Sequence, residues 1–434
     1  CRDAARARSR NASPWRGAFD ASRDGIVIDR KPAAARAMPL LGQGPPAATR
    51  GPALLATGFR PFFLLAALAC IVLVPCWLAV LFLGLPLASP LGAGSWHAHE
   101  MLFGYTSAVI AGFLLTATQN WTGQVTARGG ALLALAGSWL AGRIACAAGG
   151  AVPWLAATVD IAFLPVLASI IARPILRSRN ARNAGMPVVL VVLALANTLW
   201  WYAALHYEAL ALMRAKRVSL DLVALLILSI GGRILPGFTS NAVTGLVTRA
   251  RNALDTLGMA SLAALVVADV TAPLSSTAAY CAALAGVLNA ARLWGWGGSR
   301  ALGRPILAVL HIGFGCTAAA LILRALASLT GVLTESNATH LLTVGGIGSM
   351  TLGMMARVAL GHTGRPLSLA PSMVVALHLL ALSTLTRVFG PLLFAAHYPV
   401  VLWVSGTLWV AAFGLFLARY TPWLLAPRAD GKPG

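Results

Sequence analysis

The chain has 434 residues, of which 58% are hydrophobic and only 10% charged, with a formal net charge of +21 and a mean hydropathy of +0.78. Soluble globular domains carry about 25% charged residues, so that class is excluded. The arginines lie in a leading tail and in short connections between apolar runs, which excludes a nucleic-acid binder and marks the orienting charge of a membrane protein.

Residues 1–50 are rich in Arg, Ala, Pro and Gly and lack apolar periodicity, which predicts a disordered basic tail. The Arg and Ser content suits a transit peptide, but Asp3, Asp20, Asp24 and Asp29 do not. The sequence begins with Cys1, and Met38 is the expected translation start. From 55 to 420, apolar runs of about 20 residues recur, each enough to cross about 30 Å of hydrocarbon. They are continuous rather than alternating, unlike the strands of a transmembrane barrel. The expectation is an all-α polytopic bundle of about twelve helices. They fall at approximately 62–87, 97–118, 130–149, 151–173, 186–207, 219–240, 253–270, 274–292, 305–332, 338–360, 371–394 and 397–419, before a short cytoplasmic tail over 421–434.

Alternate connections hold the basic tail, Arg128, then Arg173, Arg177, Arg179 and Arg182, then Arg249 and Arg251, then Arg292, Arg300 and Arg304, then Arg365, and finally Arg419, Arg428 and Lys432. The opposite connections hold almost none, apart from Arg214, Lys216 and Arg217 between the fifth and sixth spans. Both termini are therefore expected to face the cytoplasm. Gly-rich segments starting near Ile110, Ile230 and Thr351 recur at about 120 residues, or four spans. They indicate three four-helix repeats or ordinary small-residue packing. Cys70, Cys76, Cys146, Cys281 and Cys316 lie in apolar spans without any CxxC pair, so neither a disulfide framework nor a thiolate metal site is expected.

Ionisable side chains are expensive in a bilayer and mark functional sites. The segment SWHAHEMLFG from Ser95 opens the second span with His97, His99 and Glu100. The orientation places His206, His340 and His397 at the same outer side, and His311, His362 and His378 toward the cytoplasm. Imidazole is a common metal and haem ligand, but histidines at span ends also sit simply at the interface. A helix turns about 100° per residue, so His97 and His99 point roughly 200° apart and serve different centres. Glu100 shares the His97 face, where it would orient the imidazole or stabilise the helix start. Met350, Met354 and Met355 are ligands or flexible filler. Arg143, Arg233, Arg324, Arg357 and Arg387 fall within spans and need partners. Asp160 is available to Arg143, while Arg143 and Arg387 are candidate partners for cofactor carboxylates such as haem propionates. GGIGSMTLG is read as helix packing, and no Walker loop, GxSxG or CxxCH is present.

The motifs GFRPFFLLAAL from Gly58, WHAHEMLFG from Trp96, IAGFLLTATQNWTG from Ile110, IGGRILPGFTSNA from Ile230 and HLLTVGGIGSMTLGMMARVALGHTGRPL from His340 resemble the NnrS family over about 55–420. The resemblance implies a twelve-span bacterial inner-membrane protein containing haem and copper, associated with denitrification and the response to nitric oxide and nitrosative stress. More loosely, the arrangement is similar to haem-copper oxidases and nitric oxide reductases. Those proteins take axial histidines from spans two and ten and use an HxH pair for two centres. The sixth span here offers no histidine, so their copper site is not implied.

The resulting expectation is a b-type haem between spans two and ten near the outer face. Its leading ligands are His99 and His340, with His97 serving a second haem or copper and His206 and His397 as further copper candidates. Nitric oxide or a related small molecule would be bound or processed there, by a haem-dependent oxidoreductase if the protein is an enzyme, with an unspecified electron donor. The rivals are a polytopic transporter, suggested by the Gly/Pro break GGRILPGFT from Gly231, and a non-catalytic metal-binding sensor or assembly protein.

Overall fold

A computed structural model describes residues 51–246, 248 and 252–432. The basic tail over 1–50 with Met38, and the connection carrying Arg249 and Arg251, lie outside the described residues. No strand occurs among the described residues. Eleven helices are long and apolar enough to cross a membrane. They are α1 (Phe59–Phe82), α2 (Ala93–Thr122), α3 (Gly129–Ala151), α4 (Pro153–Arg177), α5 (Ala181–Leu205), α6 (Ala209–Ala242), α7 (Ala253–Thr271), then, after α8, α9 (Pro305–Thr330), α10 (Glu335–His362), α11 (Pro371–Leu393) and α12 (Ala395–Leu425). The expected eighth span is present as the helix α8 (Ser276–Trp294), but it is not among the eleven. Its composition explains this: alanine dominates, and the buried polar residues Asn289 and Arg292 dilute the hydropathy.

Helix ends follow local chemistry. Gly123 and Gly331 take left-handed backbone angles that terminate α2 and α9. Pro153, Pro305 and Pro371 open α4, α9 and α11, where a missing N–H costs nothing. Two boundaries differ most from expectation. Helix α12 runs on to Leu425, and α6 starts at Ala209, so Arg214, Lys216 and Arg217 are helical rather than in a loop. The Gly/Pro segment at 231–238 does not break α6, which is continuous through Pro236. Neighbouring helices in a membrane can tolerate such a proline. Beyond α12 the chain returns to the end of α10. The Ala429 N–H donates to the Thr363 carbonyl at 2.9 Å and Arg428 donates to the His362 carbonyl at 2.9 Å. Arg428 also grips Asp430 at 2.6 Å and holds that carboxyl well below the usual carboxylate range.

Each helix packs on the next, and α12 packs on α1 to close a ring. Inside it lie α2, α6 and α10, with 83%, 67% and 72% of their most apolar stretches buried. Apart from α9 at 67%, the other helices counted as spans range from 28% to 44%. The inner three are the helices that carry the Gly-rich segments about 120 residues apart. Small residues let them approach their neighbours: a Cβ on Gly313 of α9 would meet the Met350 backbone nitrogen of α10 at 2.8 Å. Both α2 and α10 widen into π-helix immediately after a histidine, over Glu100–Thr106 and Leu341–Gly348. Such segments re-aim side chains and recur at functional sites.

Candidate functional site

A cavity of about 360 Å³ opens at the end of the bundle where α2, α6 and α10 begin, walled also by α1, α11 and α12. Its volume falls in the range of small-molecule sites. Most of the wall is apolar or aromatic, including Trp77, Leu102, Val344, Ile347 and Trp409. Ser and Thr hydroxyls interrupt it, and four basic side chains converge on it. His97 enters from α2, His340 from α10, Lys216 from α6 and Arg387 from α11. The His97 ring stacks on Trp77, with centroids 4.9 Å apart and planes 11° apart. His340 Nδ1 lies 2.8 Å from the Ser336 carbonyl. That carbonyl can only accept, so Nδ1 carries the proton and the Nε2 lone pair is free. His206, His311 and His378 make the same bond one turn back; what singles out His340 is the cavity it faces. Arg387 reaches the Ser336 hydroxyl at 3.4 Å. Among the described residues neither Arg387 nor Lys216 has a carboxylate within 4.0 Å, whereas Glu335 on the same wall is held by Arg217 at 3.0 Å.

His99 leaves the opposite face of α2 and is fully buried. Its Nε2 lies 2.8 Å from Asn197 Oδ1 and 3.2 Å from Asp160 Oδ2. Asn197 Nδ2 donates to Asp160 at 2.9 Å, so its oxygen faces His99 and Nε2 carries the ring proton. Asp160 also accepts from Trp201 Nε1 at 2.8 Å and from Arg143, which donates in turn to Glu100 at 2.8 Å. Asp160 is thereby saturated by donors. The other edge of the ring is open: His99 Nδ1 has Cys146 Sγ at 3.9 Å and Glu100 Oε1 at 3.5 Å, and Glu100 Oε2 is buried without a partner. Among the described residues, His99, Cys146 and Asp160 form the one group of three metal-type ligands whose donor atoms lie within 4.8 Å of one another. Two charges of each kind would suit a buried cluster if His99 were protonated. The Asn197 geometry fixes a proton on Nε2 in either state, and in the neutral ring the Nδ1 lone pair faces Cys146.

The histidine pair thus splits as the helical rotation predicts, but His97, not His99, shares a cavity with His340. Arg143 is committed to Glu100 and Asp160 and does not line the cavity, which leaves Arg387 and Lys216 as its cations. His206 lies exposed against Tyr202 and Trp154, and His397 is exposed in the first turn of α12; among the described residues neither joins a three-ligand group. Of the other intramembrane arginines, Arg324 pairs with Asp221 at 2.8 Å and with Asp269, Arg233 reaches Asn183 at 3.0 Å, and Arg357 lies 3.7 Å from the centre of the Phe238 ring. Sequence reasoning passed over Lys216, Trp77, Cys146 and Asn197. Lys216 had a signal, because it belongs to the one basic cluster on the side otherwise lacking positive charge. The others are assembled by packing between distant spans.

A family model described as NnrS protein matches residues 53–428. No curated protein matches the chain.

Proposed function

The chain belongs to the NnrS family, and on that premise we propose that it is a bacterial inner-membrane protein that holds haem and copper and binds or processes nitric oxide or its iron-bound products. The observation that carries this reading is one cavity where α2 and α10 each bring an imidazole and two cations lack a carboxylate. These residues fit a haem: His97 and His340 would hold it through their imidazoles, Arg387 and Lys216 would meet its carboxylates, and the aromatic wall would cover it. A bound haem would supply an iron that takes up NO once one of the two imidazoles gives up its place. The protein's own part is to hold the His97 ring parallel to Trp77 and keep the His340 proton on Nδ1.

The buried cluster suits copper. His99 Nδ1 and Cys146 Sγ are the imidazole and thiolate donors that copper favours, and binding would displace the thiol proton. Asn197 and Asp160 would fix the ring through its other N–H, the usual arrangement behind a metal-bound histidine. The arginine-rich connections support cytoplasmic termini, which puts the cavity toward the outer face. The transporter alternative rested on a broken sixth span, and α6 is continuous. The deciding experiment is an optical spectrum of the purified protein, oxidised, reduced and reduced with NO, alongside metal analysis and NO-consumption rates. A reduced haem spectrum altered by NO is the expected result, and NO consumption would make the protein an oxidoreductase. A protein free of haem and copper that cannot be reconstituted overturns the proposal.

A further inference from the structure

Further along the same three inner helices lies a second, smaller pocket of about 80 Å³, partly open at its rim and walled also by Phe63 of α1. Val109 and Ile110 of α2, Ile227 and Ile230 of α6, and Met350 and Thr351 of α10 line it. Its sole side-chain hydroxyl, Thr351 Oγ1, already donates to the Ile347 carbonyl at 2.7 Å and is bonded to the Tyr105 hydroxyl. A trapped water needs two to four polar partners, and apolar cavities without them stay dry and take up apolar guests such as xenon. A water occupies about 10–15 Å³ on the same measure, so the space admits a diatomic molecule. Gly231 preserves it, since a Cβ there would approach Met350 Cε at 3.5 Å and Phe314 at 3.0 Å.

Position gives the pocket a role. Thr106 and Ile347 line the upper cavity, and about one turn further along the same helices Val109, Ile110, Met350 and Thr351 line the pocket. Tyr105 belongs to the wall of the cavity and Thr351 to that of the pocket, so their hydrogen bond joins the two walls. Ile110 and Ile230 are only half-buried.

We propose that this pocket is a binding and transit site for a small apolar gas molecule on its way from the hydrocarbon to the upper cavity, with the Tyr105–Thr351 pair as the gate. The transit step rests on the haem reading above; the binding step does not.

The test uses the full chain in nanodiscs under xenon pressure, with xenon located crystallographically or by its NMR shift. Xenon in the pocket, absent in Ile230→Trp, is the expected result. An empty pocket at saturating xenon, or a lipid chain filling it, overturns the binding site. Where haem is present, rebinding of photolysed carbon monoxide should slow about tenfold in Ile230→Trp, the effect of a barrier raised by ~1.4 kcal/mol, and quicken in Thr351→Val, which keeps the side-chain shape and unlatches Tyr105. Unchanged rebinding in both variants overturns the transit step while leaving the xenon result standing. If the tryptophan variant fails to fold, Thr351→Val decides the gate alone. A chain without haem removes the premise of transit, and the xenon result still decides the pocket.

Discussion

His97 and His99 leave one helix two residues apart and enter opposite environments. On one side, the cavity holds an imidazole stacked on Trp77, a second imidazole with a free Nε2, and two cations without carboxylates. On the other, Asp160 accepts from Arg143, Asn197 and Trp201 and faces the His99 ring nitrogen. Buried polar groups must find partners wherever they are. The cluster finds most of them within the protein, Glu100 Oε2 and Arg143 Nε excepted, and so holds α2, α3, α4 and α5 together. The cavity leaves bonding capacity unused, and unused capacity in a dry wall is what a ligand satisfies. Proximity in sequence says little about which role a residue plays; the side of the helix decides.

The largest effect should come from breaking the cluster. Asp160→Leu leaves the Arg143 guanidinium with Glu100 alone and strands the Asn197 and Trp201 donors, and removing one partner of a buried ion pair costs about 3–5 kcal/mol. Thermal unfolding followed by size-exclusion chromatography should show a large loss of folded protein. A variant as stable as the parent would mean that the cluster is not what joins these four helices.

Next come the histidines themselves. His97→Ala and His340→Ala should each remove most of the haem absorbance while the elution profile stays that of a folded protein, because only cavity-facing atoms are lost. His99→Ala should do the reverse, lowering stability but leaving haem in the molecules that fold. Haem lost with His99 and kept without His97 would invert the comparison.

The part of this arrangement that the sequence discloses is the part governed by short-range rules. The spans follow from hydrocarbon thickness, the split of the histidine pair from a rotation of about 100° per residue, and the Arg143–Asp160 contact from antiparallel neighbours. The choice between the two faces of α2 was not legible, because it depends on which helices lie beside each face. The same holds for Asn197 and Cys146, brought to His99 from α5 and α3. The sixth span was read as starting ten residues late because Arg214, Lys216 and Arg217 look like a loop. In the fold, Thr271, Glu335 and Asp269 receive two of these charges, so the helix can carry them. The π segments after His99 and His340 leave no sequence mark beyond their Gly content, since the widening is fixed by tertiary contacts such as the Trp139 bond to the Gly104 carbonyl at 3.0 Å.

A smaller effect is expected at the rim of the cavity. Arg387→Gln removes a cation but keeps a donor for Ser336, so the fold should be unaffected. A hydrogen bond to a charged group contributes about 1.5–3 kcal/mol, and haem retention in a competition with apomyoglobin should weaken by roughly tenfold or more. An unchanged dissociation rate would mean that Lys216 alone meets the anionic groups, which Lys216→Gln would then reveal.

The smallest effect belongs to Trp77. It coordinates nothing; its ring lies parallel to His97 and restricts how that imidazole can turn. An aromatic stack contributes about 0.5–1.5 kcal/mol beyond the area it buries, so Trp77→Leu should weaken haem retention by roughly two- to tenfold and broaden the spectrum as the ring samples more orientations. Trp77→Phe keeps a flat surface and should lie between the two. If both variants match the parent, His97 is held by the π segment that follows it rather than by its neighbour. The precision of the cavity would then come from the backbone of α2, the same backbone that turns His99 away from it.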